Sequence, residues 1–173
     1  FGIPPIPGDY YHVCPGLSTI VNYKGKQVVG SSGNSGESIY APLDSINTAY
    51  ERCTSGAGDG IIVWSYGTTT AACTSYLTSG IDWSKHGITV AGVSSGAMYN
   101  NRARISQKSG SAIYYLLNVS GNNNLFINLG LVNGSDKSDA QITALKLSGG
   151  ACRNNFVNCD LKGTPATMSA YQC

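Results

Sequence analysis

Nine acidic side chains decide whether this chain could cleave a polysaccharide. A glycosidase holds two carboxyl groups about 5–10 Å apart, one as acid and one as base or nucleophile. Only Asp136 and Asp139, in the segment GSDKSD, are close in sequence, and their Gly, Ser and Lys neighbours predict a solvated turn. Asp160 follows a predicted strand with no second acid beside it. We therefore predict no catalytic residue.

Histidine and glycine motifs give no stronger sign of chemistry. His12 and His86 have no catalytic motif around them, and no GxSxG sequence is present. No CxxC pair is present, so a zinc site lacks support. GAGDG (56–60) precedes a predicted strand, whereas phosphate-binding glycines follow a strand and open a helix. We predict neither a cofactor nor a metal site.

The six cysteines permit three disulfides, and fifteen pairings are conceivable. Cys53 and Cys73 flank one predicted strand and form the candidate disulfide that we single out. Cys159 occupies the position that Leu129 holds in a matching segment. That match predicts a small buried apolar residue rather than a metal ligand or a nucleophile.

Composition limits the class of protein. Charged residues are only 12% of the 173 residues, the net charge is +2, and glycine is abundant. Such low charge with many small polar residues is typical of β-rich extracellular or virion proteins. The charge is too small to predict a nucleic-acid partner. No apolar run approaches membrane-spanning length, so we expect no membrane span.

An internal repeat organises the second half of the chain. NNLFINLGLVNG (123–134) matches RNNFVNCDLKG (153–163) without a gap, and LLNVSG (116–121) is placed against LKLSGG (145–150). The matched pairs are Phe126 with Phe156, Ile127 with Val157, Asn128 with Asn158, Leu129 with Cys159, and Leu131 with Leu161. An interval of about 30 residues indicates a solenoid, in which each unit buries its apolar side against the next. The sequence therefore predicts parallel stacked strands.

Two segments before the repeats differ from them. Residues 1–23 contain four of the six prolines and predict an extended arm outside a repeat domain of residues 24–173. Pro42, Leu43 and Ile46 begin a stretch with helical spacing, which predicts a helix over about 42–53. The predicted core consists of Ile61, Val63, Ile88, Val90, Ile113, Leu117, Val119, Leu125, Ile127, Leu129, Leu145, Leu147, Val157, Cys159 and Leu161.

Four segments in succession carry a family resemblance: the loop GSSGNSGES, the helix start APLDSI, the strand GDGIIVWSYGT and the strand KHGITVAGV. This order resembles the N-terminal part of right-handed parallel β-helix proteins of the pectin-lyase-like class. In that class a GsDxNSG loop precedes a helix that caps the solenoid, and GDxIxVxPGxY and KxGITIxG strands follow. The matching residues are Gly33, Asn34, Ser35, Gly36, Pro42, Leu43, Ile46, Ala49, Gly58, Asp59, Ile61, Val63, Gly67, Lys85, Gly87, Ile88, Val90 and Gly92. Tyr66 and Gly67 replace the usual Pro-Gly, which alters one turn.

The resemblance implies an all-β, right-handed parallel β-helix with a short N-terminal capping helix. That fold hosts lyases, hydrolases, adhesins and phage proteins, so it does not fix an activity. Short, low-charge members with the NSG loop resemble virion proteins of tailed bacteriophages. We therefore expect a non-enzymatic structural protein of the particle: a capsid decoration, head fibre or tail-fibre module. The alternatives are a carbohydrate-binding or polysaccharide-degrading tailspike fragment and a secreted bacterial adhesin.

Assembly follows from the two ends of such a solenoid. A helix covers one end, but no comparable helix precedes Cys173, so a partner, a symmetry mate or further chain must cover the other. We expect a homo-oligomer, and the resemblance to phage fibres suggests a trimer. Capsid or tail proteins and surface carbohydrate are the other expected partners. The arm should attach to a neighbour or the shell through Ile3, Ile6, Tyr10 and Tyr11.

Overall fold

The computed structural model describes residues 6–15, 20–23, 26–65, 74–94, 103–108, 110–111, 113–134 and 143–163. These residues are mostly β-strand with one α-helix, α1 (Ile46–Arg52), so the prediction of an all-β chain is confirmed. The strands are β1 (Tyr10–Val13), β2 (Ile20–Tyr23), β3 (Lys26–Val29), β4 (Gly60–Ser65), β5 (Thr74–Leu77), β6 (Ile81–Trp83), β7 (Thr89–Ser94), β8 (Ala103–Gln107), β9 (Tyr115–Val119), β10 (Leu125–Ile127), β11 (Leu129–Asn133), β12 (Thr143–Leu147), β13 (Asn155–Val157) and β14 (Asp160–Gly163).

Three sheets in this part of the chain are parallel, and each takes every third strand. The first sheet has the order β1-β4-β7-β10-β13, the second β5-β8-β11-β14, and the third β6-β9-β12. A separate antiparallel hairpin joins β2 and β3. From β4 onward the chain visits the three sheets in turn, and each visit adds one strand to the same edge of its sheet.

Aligned side chains from the parallel sheets fill one apolar core. Residues in register on parallel strands share a face, and Ile61, Val90 and Phe126 form such a column in the first sheet. All three are almost fully buried. Trp83 meets Phe126 edge-on with ring centroids 5.3 Å apart, and Phe156 stacks on Phe126 at 4.7 Å. Removal of these large apolar surfaces from water is the main stabilising contribution.

Helix α1 lies at the N-terminal end of this core. Ile46 and Leu43 are fully buried, as the helical spacing predicted. The helix begins later than the predicted residue 42, because the side chain of Ser45 accepts a hydrogen bond from Asn47 N and caps it. Leu43 instead bridges to Val13 of β1 in extended conformation.

Lys85 ties the other end of α1 to the KHGITV segment. Its ammonium group donates hydrogen bonds to the carbonyl oxygens of Tyr50, Glu51 and Cys53 at 2.7, 2.8 and 2.7 Å. These carbonyls belong to the last turn and the C-cap of the helix, where the carbonyl oxygens have no N–H donor within the helix and a positive charge is favourable. Lys85 therefore fastens the capping helix to the strand region that follows it.

The repeat predicted part of the strand register correctly. Phe126 pairs with Phe156 and Leu131 with Leu161. The matched asparagines are also in contact, since Asn158 Nδ2 donates a hydrogen bond to Asn128 Oδ1 at 3.0 Å. Both asparagines have positive φ, the left-handed conformation that asparagine tolerates better than most residues.

The predicted register of the third sheet is wrong by one residue. The match of LLNVSG to LKLSGG placed Leu145 opposite Leu116, whereas Leu145 pairs with Leu117 and Leu147 with Val119. Leu117 and Val119 are fully buried. A shift of one residue would turn Leu145 and Leu147 to the opposite face, whereas the observed register aligns them with the buried Leu117 and Val119.

The predicted core is confirmed in its middle and corrected at its edge. Eight predicted residues are buried: Ile61, Val63, Ile88, Val90, Ile113, Leu117, Val119 and Leu129. Four are half-buried: Leu125, Ile127, Leu145 and Cys159. Three are exposed: Leu147, Val157 and Leu161. In β10 the core position is taken by Phe126 and not by the predicted Leu125 and Ile127. The other five predicted residues that are not fully buried lie on or between the last strands of the sheets: Leu145, Leu147, Val157, Cys159 and Leu161.

The N-terminal segment is a strand and not a free arm over residues 10–13. β1 pairs in parallel with β4, Tyr10 opposite Gly60 and Val13 opposite Val63. The expectation that the arm stays off its own strands is therefore wrong here. Its prolines lie outside the strand, and an edge strand needs a ladder on one side only. β2 and β3 also pair across the boundary predicted between residues 23 and 24.

A histidine–tryptophan contact holds β1 against β4. Trp64 donates its indole N–H to Nδ1 of His12 at 2.9 Å, and the two rings stack. A protonated Nδ1 cannot accept this bond. Burial lowers the pKa of His12, so the neutral imidazole is the form that the folded chain favours.

Acidification should therefore weaken the folded state through His12. The pKa of His12 is lower in the folded chain than the unfolded value of about 6.5. The contribution of His12 to the free energy of unfolding is therefore complete above about pH 6.5 and is lost as the pH falls through the folded pKa. Urea unfolding across this range should reveal a loss on the order of 1 kcal/mol, the size of one hydrogen bond. His12→Phe should lose less on acidification, and the control Tyr76→Phe, at an exposed residue without an imidazole, should follow the wild type. If wild type and His12→Phe lost the same unfolding free energy on acidification, His12 would not be the cause of the loss.

Arg153 offers a test of the turn geometry. It has φ 55°, and Asn123 occupies the equivalent position of the preceding repeat with φ 58°. A non-glycine residue with a branched or long side chain is strained in this region, and asparagine less so. Arg153→Asn should raise the free energy of unfolding by about 0.5–1 kcal/mol in urea denaturation. The reciprocal Asn123→Arg should lower it by a similar amount. A destabilised Arg153→Asn would refute the strain argument.

Candidate assembly surface at the terminal strands

The last strands of the three parallel sheets form the candidate site. β12, β13 and β14, together called the terminal triplet, each lie at the outer edge of one sheet. Among the described strands, nothing pairs with the outer edges of these three. An edge strand presents backbone N–H and C=O groups that can pair with another chain. One side of the molecule therefore carries three adjacent pairing edges.

Large apolar side chains are exposed on all three of these strands. The exposed fractions are 57% for Leu147 in β12, 37% for Val157 in β13 and 40% for Leu161 in β14. Leu147 stands above the fully buried Val119, and Leu161 above the fully buried Leu131. Within the described residues, these two leucines are therefore the last members of their core columns. Exposed apolar groups in such a cluster usually mark a contact surface.

Charge is nearly absent from the core-facing side of the terminal triplet. Leu145, Leu147, Phe156 and Leu161 occupy its core-facing positions. The two charges of β14 neutralise each other, since Lys162 Nζ lies 2.9 Å from Asp160 Oδ2. Lys146 points to the opposite face, where its ammonium lies 5.9 Å from the centroid of the Tyr115 ring. The surface is suited to an apolar partner.

An asparagine ladder holds the terminal triplet rigidly on the strands before it. Asn154 Oδ1 accepts hydrogen bonds from both the backbone N and Nδ2 of Asn124, each at 3.0 Å. Asn154 Nδ2 in turn donates to Gly121 O at 2.9 Å. The exposed leucines therefore sit on a preorganised support, which lowers the entropy cost of binding.

The predicted attachment residues contact their own chain. Ile6 packs over Gly60, where an added Cβ would lie 2.3 Å from Ile6 Cδ1. Tyr10 Oη accepts a hydrogen bond from Ile6 N at 3.2 Å, and Tyr11 Oη donates to Arg52 O at 3.4 Å. Ile3 lies outside the described residues. The structure does not bring these side chains into one outward patch, and a role for them in attachment stays a prediction.

The candidate disulfide stays a prediction too. Cys53 forms no disulfide with another described cysteine, and Cys73 lies outside the described residues. Burial and the nearby Asp59 carboxylate raise the pKa of Cys53 to about 12. The Cys53 thiol is therefore protonated and a poor nucleophile at neutral pH.

Three acidic side chains of the described residues, Asp59, Asp82 and Asp160, each have their own structural partners. Asp59 is buried and accepts hydrogen bonds from Asp9 N and Thr54 N. Asp160 pairs with Lys162 as described above. Asp136 and Asp139 lie outside the described residues. Within the described ranges no three His, Cys, Asp or Glu side chains cluster as metal ligands, and no helix is long and apolar enough to span a bilayer.

One polar cluster on the outer face of the third sheet was missed from the sequence. Asp82 Oδ1 accepts hydrogen bonds from Tyr115 Oη at 2.9 Å and Asn118 Nδ2 at 2.8 Å. Asn118 Oδ1 accepts one from Ser148 Oγ at 2.6 Å. The hydrogen bond to Asp82 raises the pKa of Tyr115. Asp82 and Asn118 are 36 residues apart, so a repeat interval near 30 did not align them.

Comparison with known proteins identifies no relative of this chain. The resemblance to the pectin-lyase-like class is carried by the four motifs alone. No protein-family model matches the chain, and neither a curated protein nor a solved structure does.

Proposed function

We propose that this chain is a right-handed parallel β-helix that acts as a non-enzymatic structural protein of a bacteriophage particle. Support for the fold comes from the strand order, in which every third strand joins the same parallel sheet. Support for the hand comes from a general rule, since about 98% of crossovers between parallel strands of one sheet are right-handed. In this fold α1 is the cap of one end, and the terminal triplet is the uncapped end.

The observation that carries a structural role is the terminal triplet. Leu147, Val157 and Leu161 expose one large apolar side chain on each of three edge strands. A chain that keeps such a surface in water risks aggregation, so a partner should cover it in the assembled state. The same surface is uncharged on its core-facing side, which suits permanent contact better than turnover of a polar substrate.

The bacteriophage setting is supported by the NSG loop, the low charge and the short repeat domain. In that setting the chain is a capsid decoration, head fibre or tail-fibre module, and the other partners are capsid or tail proteins. A homo-oligomer, with three copies as the expected number, is part of the proposal. Attachment to the particle through the N-terminal segment, with Ile3, Ile6, Tyr10 and Tyr11, remains part of the proposal.

Mass spectrometry of purified particles from the source of the chain tests this function. Peptides of the chain should be present in fixed proportion to the major shell protein. Peptides found only in the culture medium would reject the virion role and favour the secreted adhesin. Release of reducing or unsaturated sugar ends from a polysaccharide by the purified protein would reject the non-enzymatic role.

Carbohydrate binding is the second candidate, and the Asp82 cluster favours it. The half-buried ring of Tyr115 lies beside a carboxylate, an amide and an ammonium group, a combination that can stack on and hydrogen-bond a sugar. A glycan array with wild type and Tyr115→Ala tests it, with the exposed Tyr76→Ala as control. Binding that Tyr115→Ala alone abolishes would support this candidate, and binding equal in all three proteins would remove it.

A further inference from the structure

We infer that the terminal triplet binds the terminal triplet of a second copy of this chain, end to end about a twofold axis. This inference rests on the proposed structural role and names the partner at that surface. The two copies would bury Leu147 and Leu161 of each against the other. Three features of the described residues favour this occupant.

The first feature is the set of three open strand edges. A partner that covers β12, β13 and β14 must satisfy their backbone groups as well as their apolar side chains. A second terminal triplet supplies three such edges, so that β13 meets β13 and β12 meets β14. A twofold axis through β13 sets the two β13 strands antiparallel, which keeps both core-facing sides together.

The second feature is the aromatic column. Phe156 stacks on Phe126 with an angle of 3° between the rings, and its other face points out of the core end. Because the core-facing positions carry no charge, two such faces can meet without desolvating an ion. Asp160 is already neutralised within each copy by Lys162.

The third feature is the closed opposite end. Ile46, Ala49 and Tyr50 of α1 are buried in the core cluster, and Lys85 fixes the helix in place. The terminal triplet of one copy therefore finds no open core at the helix end of another, and head-to-tail growth is blocked. Two open ends that meet face to face give a closed pair and not a fibre.

Sedimentation equilibrium of the 173-residue chain tests the pairing. An interface of three strands should bury about 1,000 Å² in total, which is small for a protein–protein interface, so association should depend on concentration. Leu147→Glu and Leu161→Glu should each halve the mass that the wild type reaches, from two copies to one, or from six to three where side contacts also form trimers. Val29→Glu, at a side chain 44% exposed in β3, is the matched control and should keep the wild-type mass.

Hydrogen–deuterium exchange of the wild type keeps the test independent of variant folding. Amides of β12, β13 and β14 should exchange at least about tenfold more slowly in a concentrated sample than in a dilute one, whereas those of β1 should not change. The twofold pairing would be overturned if neither glutamate variant halved the wild-type mass. It would also be overturned if amide exchange in β12–β14 did not depend on protein concentration. Particle composition is measured separately, so the structural role could stand after this pairing fails.

Discussion

Phe126→Ala is expected to lower the free energy of unfolding by about 3–5 kcal/mol, the usual cost of deleting a fully buried phenylalanine side chain. The ring is 1% exposed and contacts Trp83 edge-on and Phe156 face to face. Its removal leaves a cavity beside Trp83, which also packs on Tyr50 at 4.2 Å and is therefore not free to fill it. A domain of this size is stabilised by only about 5–15 kcal/mol, so the loss is a large fraction.

Urea denaturation followed by circular dichroism measures this loss. Val157→Ala is the matched control, because Val157 lies in the terminal triplet and is 37% exposed. Its cost should stay below about 1 kcal/mol. If Phe126→Ala cost no more than Val157→Ala, the ring would not be the centre of the core.

The sequence repeat predicted the strand register correctly where paired residues of successive strands are about 30 positions apart. Between β10 and β13 the interval is 30 residues, as the Asn124 to Asn154 bonds show, and there the sequence match gave the correct register. Between β6 and β9 it is 36 residues, so the Asp82–Asn118 contact was not visible. Loop length changes the interval without changing the strands, because loops at the surface tolerate insertions.

Two further differences have local physical causes. Prolines near the N-terminus predicted an arm, but Tyr10–Val13 is free of proline and pairs as an edge strand with β4. The capping helix was placed correctly from Leu43 and Ile46, yet its first residue is set by the Ser45 cap, which periodicity does not encode. Which strands lie last in their sheets could not be read from a single repeat pair.

Asn124→Ala is expected to lower the free energy of unfolding by about 2–4 kcal/mol. The side chain is 1% exposed. Its Oδ1 accepts a hydrogen bond from Ile88 N at 2.9 Å, and its Nδ2 donates to Lys85 O at 3.1 Å and to Asn154 Oδ1 at 3.0 Å. Alanine would leave a buried N–H and a carbonyl without these partners, and each unsatisfied group costs about 1–3 kcal/mol.

The comparison with two further variants separates hydrogen bonding from packing. Asn124→Asp keeps the acceptor for Ile88 N but turns a negative charge toward the oxygens of Lys85 and Asn154, so it should cost at least as much as alanine. Asn155→Ala, at the exposed neighbour in β13, should stay within about 0.5 kcal/mol of wild type. Asn154, which directly precedes β13, is hydrogen-bonded to Asn124. Asn124→Ala should therefore also speed amide exchange in β13 through local opening, without global unfolding. Exchange in β13 that matches the wild type would show that the ladder does not support the terminal strands.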